Sequence, residues 1–185
     1  MLQLVIKDAN LYDEAKETFI NVKGQTIQLE HSLVSISKWE AKWHKPFLSV
    51  EDKTREETLD YIRCMTITQC VNPMVYLAIT DEQVDAVNSY INDSMTATTF
   101  SNTKQEGKGS VAKVTTSEEI YYYMSALQIP FSCEKWHLNR LLTLIHVCDE
   151  KNKQSTDKKQ GMPSSSRAAR SKINKARRAK HHSKG

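Results

Sequence analysis

Cysteine and histidine are the residue types best suited to chemistry here, and the four cysteines lack the spacing of a metal site. Five residues separate Cys64 from Cys70, and fourteen separate Cys133 from Cys148. There is no Cys-x-x-Cys pair, and no histidine stands at zinc-finger distance from either pair. We therefore expect four reduced, mostly buried thiols that serve as small apolar side chains.

The histidines and the common catalytic motifs give no better candidate for a reactive site. His137 and His146 lie about two and a half turns apart on one predicted helix, too far to share a metal, so we interpret them as surface or edge residues. The chain contains no HExxH, no GxSxG and no glycine-rich phosphate loop. The sequence therefore predicts a non-enzymatic protein with no catalytic residue, no metal and no cofactor.

Three consecutive tyrosines, Tyr121, Tyr122 and Tyr123, are the most distinctive aromatic feature. On a helix their rings point in three directions, so at least one is exposed or covered by another subunit. Rings at the edge of the core and a contact surface remain alternative interpretations. With the wide apolar stripe of the last helix they form the candidate protein-interaction surface: Tyr121, Tyr122, Tyr123, Trp136, Leu138 and Leu142.

Charge divides the chain into an acidic body and a basic tail. Ten of the 26 Lys and Arg residues lie in 158–185, which has no Asp or Glu. Residues 1–157 keep 16 basic and all 22 acidic residues, a formal charge of −6 against +10 for the tail. Such an arm suits nucleic-acid phosphates or an acidic protein surface, including a neighbouring copy, or it is a solvated tail that aids solubility.

The tail lacks the large apolar residues that a membrane-bound helix needs, so we expect no membrane contact. It also lacks aromatic residues for stacking on single strands, so any nucleic-acid contact would be non-specific. We expect 152–185 to be flexible, with a nascent helix at 167–180. The residues predicted to bind nucleic acid or an acidic partner are Arg167, Arg170, Lys172, Lys175, Arg177, Arg178, Lys180 and Lys184.

Hydrophobic patterns predict a mainly α, α+β fold of five to six helices with a small N-terminal antiparallel β unit in 1–151. Leu2, Leu4 and Ile6 alternate as in a strand, and 18–23 with 26–29 predict a hairpin that turns at Gly24. Three helices are predicted first: 32–43 capped by Ser32, 51–66 capped by Ser49, and a short helix 74–79 after Pro73. Capping boxes at Thr80 and Thr116 predict helices 80–91 and 117–128. A last helix, 132–151, is predicted with Ser132 as its cap.

Within these helices, Ile120, Tyr123, Met124 and Leu127 should face inward, as should Trp136 and Leu141 in the last helix. Residues 93–115 predict a long loop, because they hold two glycines and many Ser and Thr but few large apolar residues. We find no secretory leader and no apolar run long enough to span a membrane.

Four segments resemble a family of proteins encoded in the structural-gene block of tailed bacteriophages, near the tail genes. They are SISKWEAKWHKPFL (35–48), DYIRCMTIT (60–68), MTATTF (95–100) and EEIYYYMSALQIPFSCEKWHLNRLLTLIHVC (118–148). The basic stretch RAARSKINKARRAK is also similar. The resemblance implies a tail assembly chaperone that coats the tape-measure protein before the tail tube forms, and it implies no catalytic residues.

Two further functions remain open. The chain could be a structural virion component, such as a head–tail connector or tail subunit, whose basic arm contacts DNA or an acidic protein. It could also be a free DNA-binding protein. The expected partners are other phage structural proteins, namely tape measure and tail tube, together with self-association. The expected location is the host bacterial cytoplasm or the virion.

Overall fold

The computed structural model describes residues 1–13, 17–99, 115–159, 171–175 and 177. The chain divides into two compact units, Met1–His146 and Val147–Gly185. An N-terminal antiparallel β structure is followed by helices, which confirms the mainly α, α+β class. The predicted boundary after residue 151 stays a prediction.

The β structure consists of two antiparallel pairs of strands in one register. Strand β1 (Leu2–Ile6) pairs with β4 (Gln25–Leu29), and β2 (Ala9–Asp13) pairs with β3 (Thr18–Val22). The register of Leu2 opposite Leu29 continues to Asp13 opposite Thr18. The two pairs thus follow each other along one long hairpin, in which the chain reverses between β2 and β3.

The predicted hairpin between 18–23 and 26–29 is therefore wrong, because β3 and β4 are consecutive strands on the same side of the hairpin. Gly24 lies between them and has no positive φ. A Cβ there would overlap the Ile6 carbonyl oxygen and would lie 2.7 Å from the Lys7 carbonyl carbon. Glycine is required by the close approach of the opposite strand, a constraint that no local pattern reveals.

Both outer edges of the β1–β4 pair receive hydrogen bonds from other parts of the chain. On the β4 edge, Ile67 N donates to Gln28 O at 2.8 Å, and Glu30 N donates to Met65 O at 2.9 Å. On the β1 edge, Gln83 Nε2 donates to Val5 O at 2.7 Å. Covered edges cannot pair with a further strand.

Helices α1 (Leu33–Trp43) and α2 (Arg55–Met65) pack against each other. The Ser32 cap of α1 is confirmed. The Ser49 cap of α2 is wrong, because Thr54 and Glu57 form a reciprocal capping box that starts the helix four residues later than predicted. The indole of Trp39 lies in the core and donates from Nε1 to Glu57 O at 2.9 Å.

A 3-10 helix, Pro73–Ala78, follows with Asn72 as its cap, and α3 (Asp81–Ile91) opens with the predicted Thr80 capping box. Residues 93–99 contain no helix or strand, and 100–114 of the predicted loop lie outside the described residues. Helix α4 (Ser117–Ala126) comes next.

The predicted start of the last helix at Ser132 is wrong. A 3-10 helix, Phe131–Lys135, comes first, and α5 (Leu138–Lys159) begins only after an extended Trp136. Tertiary contacts explain the break, because His137 forms a β-bridge with Ser32 and Leu138 N donates to His31 O at 2.7 Å. The core contains the largest fully buried side chains: Ile27, Leu29, Leu33, Ile36, Trp39, Ile62, Met65, Ile120, Met124, Leu138 and Leu141.

Candidate protein-interaction surface

Helix α4 is fixed at its N-terminus by a buried carboxylate from α1. Glu40 Oε2 accepts hydrogen bonds from Ser117 N at 2.9 Å and from Ser117 Oγ at 2.5 Å. Glu40 Oε1 accepts from Phe47 N at 2.8 Å. The side chain of Thr116 makes no capping hydrogen bond, so the predicted capping box is wrong. A negative charge at this helix end is favourable, so Glu40 takes the place of the local cap.

The inner side of α4 buries Ile120 and Met124, while its tyrosines lie outside the core. The exposed fraction is 69% for Tyr122 and 44% for Tyr123, and their ring centroids are 5.8 Å apart. The prediction that Tyr123 faces inward is therefore wrong. Of the four apolar positions predicted to face inward, only Ile120 and Met124 are buried, on the side of α4 that packs against α1.

Tyr121 is half-buried and connects α4 to the 3-10 helix Phe131–Lys135. Its hydroxyl donates to Glu134 Oε2 at 2.9 Å, and its ring centroid lies 6.2 Å from that of Phe131. Burial, followed by the hydrogen bond with the Glu134 carboxylate, raises the pKa of Tyr121 to about 12. This phenol therefore stays protonated and holds the two helices together at neutral pH.

Phe131 is 56% exposed and was not predicted as a surface residue. We define the α4 aromatic surface as Tyr121, Tyr122, Tyr123 and Phe131. Exposed tyrosine and phenylalanine are characteristic of the centres of protein interfaces. The only local sequence feature that could have indicated the exposure of Phe131 is the preceding Pro130. Pro130 precedes a short 3-10 helix and not the long α-helix that was predicted.

The other three predicted interaction residues have different environments. Trp136 is half-buried, and the Arg140 guanidinium lies over its ring at 4.3 Å from the centroid. Leu142 is half-buried, whereas Leu138 is 1% exposed and belongs to the core. Leu138 therefore offers nothing to a partner, and Trp136 lies outside α5 rather than on its inner face.

The basic residues can be placed only in part. Lys172 and Lys175 are exposed in the helical segment 171–175, and Arg177 is exposed as well. The remaining predicted tail residues, Arg167, Arg170, Arg178, Lys180 and Lys184, lie outside the described residues.

A polar cluster, which we call the histidine hub, lies where the end of β4 meets three helices; His31, Tyr61 and His137 are buried, and Glu30 and Tyr90 are half-buried. It comprises His31, Tyr61, Tyr90, His137 and Glu30. His31 Nδ1 lies 2.5 Å from Tyr61 Oη, and the two imidazole centroids are 5.1 Å apart. Tyr90 Oη donates to Glu30 Oε1 at 2.7 Å. His137 is buried, so its predicted place at the surface or edge is wrong.

Burial keeps His31 uncharged at neutral pH. Burial, and then the neighbouring His137, lowers the pKa of His31 to about 3. Asn139 N donates to His137 Nδ1 at 3.3 Å, so His137 Nε2 carries the proton and donates to Tyr90 O at 3.1 Å. Burial raises the pKa of Tyr61 well above its ordinary value. Hydrogen bonds between these groups and the surrounding chain reduce the cost of burying their polar atoms.

Metal and membrane sites have no support in the described parts of the chain. No three His, Cys, Asp or Glu side chains are grouped there so that they could hold a metal ion. Within the described ranges, every helix is too short or too polar to cross a membrane. The four cysteines are free thiols, but only Cys133 is buried, whereas Cys64 and Cys148 are half-buried and Cys70 is exposed, so the prediction of mostly buried thiols is wrong.

The described surface has two cavities of moderate size. One of about 320 Å³ lies between Lys7, Asp8 and the start of α3, and one of about 300 Å³ lies beside His44, Lys45 and Glu118. Neither is lined by the aromatic residues of the histidine hub or of the α4 aromatic surface. Comparisons of the chain with protein-family models, with curated proteins and with solved structures give no match.

Proposed function

We propose that this chain is a non-enzymatic bacteriophage morphogenesis protein, a tail assembly chaperone that binds tape-measure or tail-tube proteins through the α4 aromatic surface. The observation that carries the proposal is the exposure of Tyr122, Tyr123 and Phe131 around a helix anchored by a buried carboxylate. A rigid helix with exposed rings loses little conformational entropy when it binds a partner. The resemblance of 118–148 to phage tail-region proteins supplies the class of partner.

The α4 aromatic surface fits an apolar, helical partner better than it fits a small ligand. Its rings lie on the outside of the helix, and the two cavities described above lie elsewhere. Aromatic rings that stand on a convex helix surface insert between the side chains of a facing helix or groove. A long helical protein that must be kept soluble before assembly offers many such positions.

Co-expression with tagged tape-measure and tail-tube proteins from the same genome tests the proposal. We expect the wild-type chain to co-purify with one of them, and Tyr122→Ser combined with Phe131→Ser to reduce recovery about tenfold or more. Val50→Ser is the matched control, because Val50 is an apolar residue that is 98% exposed and is not part of the α4 aromatic surface. Equal recovery of both variants, or no recovery of the wild type, would refute the assignment.

The exposed cations Lys172, Lys175 and Arg177 favour one second candidate, a structural virion component whose arm contacts DNA or an acidic protein. Mass spectrometry of purified particles separates the two functions. A chaperone is absent from mature particles, whereas a component is present in a fixed copy number. Arm binding to DNA would weaken steeply with salt, because phosphate contacts release counterions.

A further inference from the structure

The outer side of α4 carries a carboxylate one helical turn before its most exposed ring. Glu118 is exposed in the first turn of the helix, and Tyr122, four positions later, is 69% exposed. Residues four positions apart are neighbours on a helix surface. The ring of Tyr123 adjoins that of Tyr122, with 5.8 Å between their centroids. We call this surface of Glu118, Tyr122 and Tyr123 the acidic aromatic face.

Glu118 is ionised at neutral pH. A hydrogen bond from its own backbone N–H, and then one from the Thr116 side chain, hold the pKa of Glu118 below its ordinary value. His44 and Lys45 line the cavity that Glu118 borders, and the ammonium of Lys45 lies 2.7 Å from Glu57 Oε1. That cation therefore has a carboxylate partner already, and Glu118 contributes a negative charge beside two phenol rings.

Elsewhere in the chain, a carboxylate beside an aromatic ring binds a lysine side chain. Lys42 Nζ lies 2.5 Å from Asp60 Oδ1 and 5.4 Å from the ring centroid of Trp43. Lys53 Nζ lies 4.6 Å from the ring centroid of Phe47. A cation is attracted both by a carboxylate and by the negative face of an aromatic ring. The acidic aromatic face presents the same two kinds of group, which are suited to a Lys or Arg side chain.

We propose that the acidic aromatic face binds a basic amphipathic helix, an inference that rests on the function proposed above and specifies the chemistry of the partner. Lys or Arg side chains of that helix contact Glu118 and Tyr122, and its apolar side chains pack on Tyr123 and Phe131. The long stems of Lys and Arg cover apolar surface while their charged ends reach a carboxylate. Residues 1–157 carry a formal charge of −6, which attracts a basic segment and repels an acidic one.

Fluorescence anisotropy with three labelled helical peptides tests this proposal on the full chain. The peptides share the same apolar positions and differ only in the flanking residues, which are all Lys, all Gln or all Glu. We expect the lysine peptide to bind about tenfold more tightly than the glutamate peptide. Glu118→Gln should weaken binding of the lysine peptide about threefold or more, and should change binding of the glutamine peptide less than about twofold.

Glu56→Gln is the matched control for Glu118→Gln. Glu56 is exposed and is the second residue of α2, as Glu118 is the second residue of α4, so both variants remove one charge from the same helical position. Glu56→Gln should change binding of the lysine peptide less than about twofold. Tyr122→Leu keeps an apolar side chain but removes the ring, so it should weaken the lysine peptide more than the glutamine peptide, whereas Tyr122→Phe should not.

Three results would overturn the assignment to a basic helix: equal binding of all three peptides, equal loss in Glu118→Gln and Glu56→Gln, or no binding of the lysine peptide. Equal binding that Tyr122→Ser combined with Phe131→Ser abolishes would discard the charge preference and keep the proposed function, because the co-purification experiment does not depend on charge. A peptide of residues 167–180 that binds more tightly than the lysine peptide, with the same dependence on Glu118, would replace the partner by a segment of this chain.

Discussion

The histidine hub and the α4 aromatic surface use similar residue types in opposite ways. In the hub, the imidazole of His31 and the phenols of Tyr61 and Tyr90 have hydrogen-bond partners inside the protein. On α4, Tyr122 and Tyr123 contact each other, and both rings face solvent. Rings with satisfied polar atoms in the interior stabilise a fold, whereas rings left in water gain free energy by binding a partner.

Burial and hydrogen bonding, and not residue type, therefore separate the aromatic residues of the core from those exposed to solvent. Substitutions in and around the buried polar groups should change the free energy of unfolding. Substitutions of the exposed Tyr122, Tyr123 and Phe131 should change partner binding and alter the free energy of unfolding only slightly.

Glu40→Ala should have the largest effect on the free energy of unfolding, because Glu40 accepts the hydrogen bonds at the N-terminus of α4. Its removal leaves the buried N–H groups of Phe47 and Ser117 without acceptors. We expect a loss of about 3 kcal/mol or more in the free energy of unfolding, measured by urea denaturation. The control is Glu51→Ala at an exposed glutamate, and equal losses in the two variants would contradict the capping role.

Lowering the pH should reduce the free energy of unfolding, because His31 of the histidine hub is protonated more readily in the unfolded chain. Its pKa is about 3 in the folded chain against an ordinary value of 6.5, so the unfolded state binds the proton more tightly. Stability is therefore complete above pH 6.5 and falls as the pH drops below it. Between about pH 7 and pH 5 we expect a loss of about 2 kcal/mol from this residue, measured by urea denaturation at both values.

The matched variants for this experiment are His31→Asn and His44→Asn. His31→Asn should be less stable at neutral pH but should lose the additional acid sensitivity, whereas His44→Asn, at an exposed position, should keep it. If the free energy of unfolding of His31→Asn falls with pH as much as that of the wild type, the acid sensitivity arises from other residues.

Tyr122→Ser combined with Phe131→Ser should have the smallest effect on stability. Both side chains are more than half exposed, so we expect a change within about 0.5 kcal/mol per residue in the free energy of unfolding. Thermal denaturation measures it. A loss comparable to that of Glu40→Ala would mean that these rings belong to the core.

Signals between near neighbours in sequence predicted much of the fold. Ser32 and Thr80 start their helices as expected, because a cap and the residue it bonds are three positions apart. The tyrosine triplet predicted exposed rings, because successive helical positions point in different directions. These features require no knowledge of the rest of the chain.

Features that depend on distant contacts were missed. Glu40 caps α4 in place of Thr116, although it lies 77 positions before Ser117, whose N–H it accepts. The β-bridge between His137 and Ser32 keeps the chain extended there, so α5 begins later than predicted. Glycine is common in turns, but Gly24 is required because the opposite strand approaches it too closely for a Cβ. His31 and His137 lie more than a hundred positions apart, so no sequence spacing could indicate that they are in contact.

Hydrogen exchange of the chain with and without the proposed tape-measure or tail-tube partner tests the central claim most directly. If α4 binds the partner, amides of Ser117–Ala126 and Phe131–Lys135 should become more protected in the complex, while those of the histidine hub, already buried, should change little. A complex in which α4 exchanges as fast as in the free chain would contradict the account.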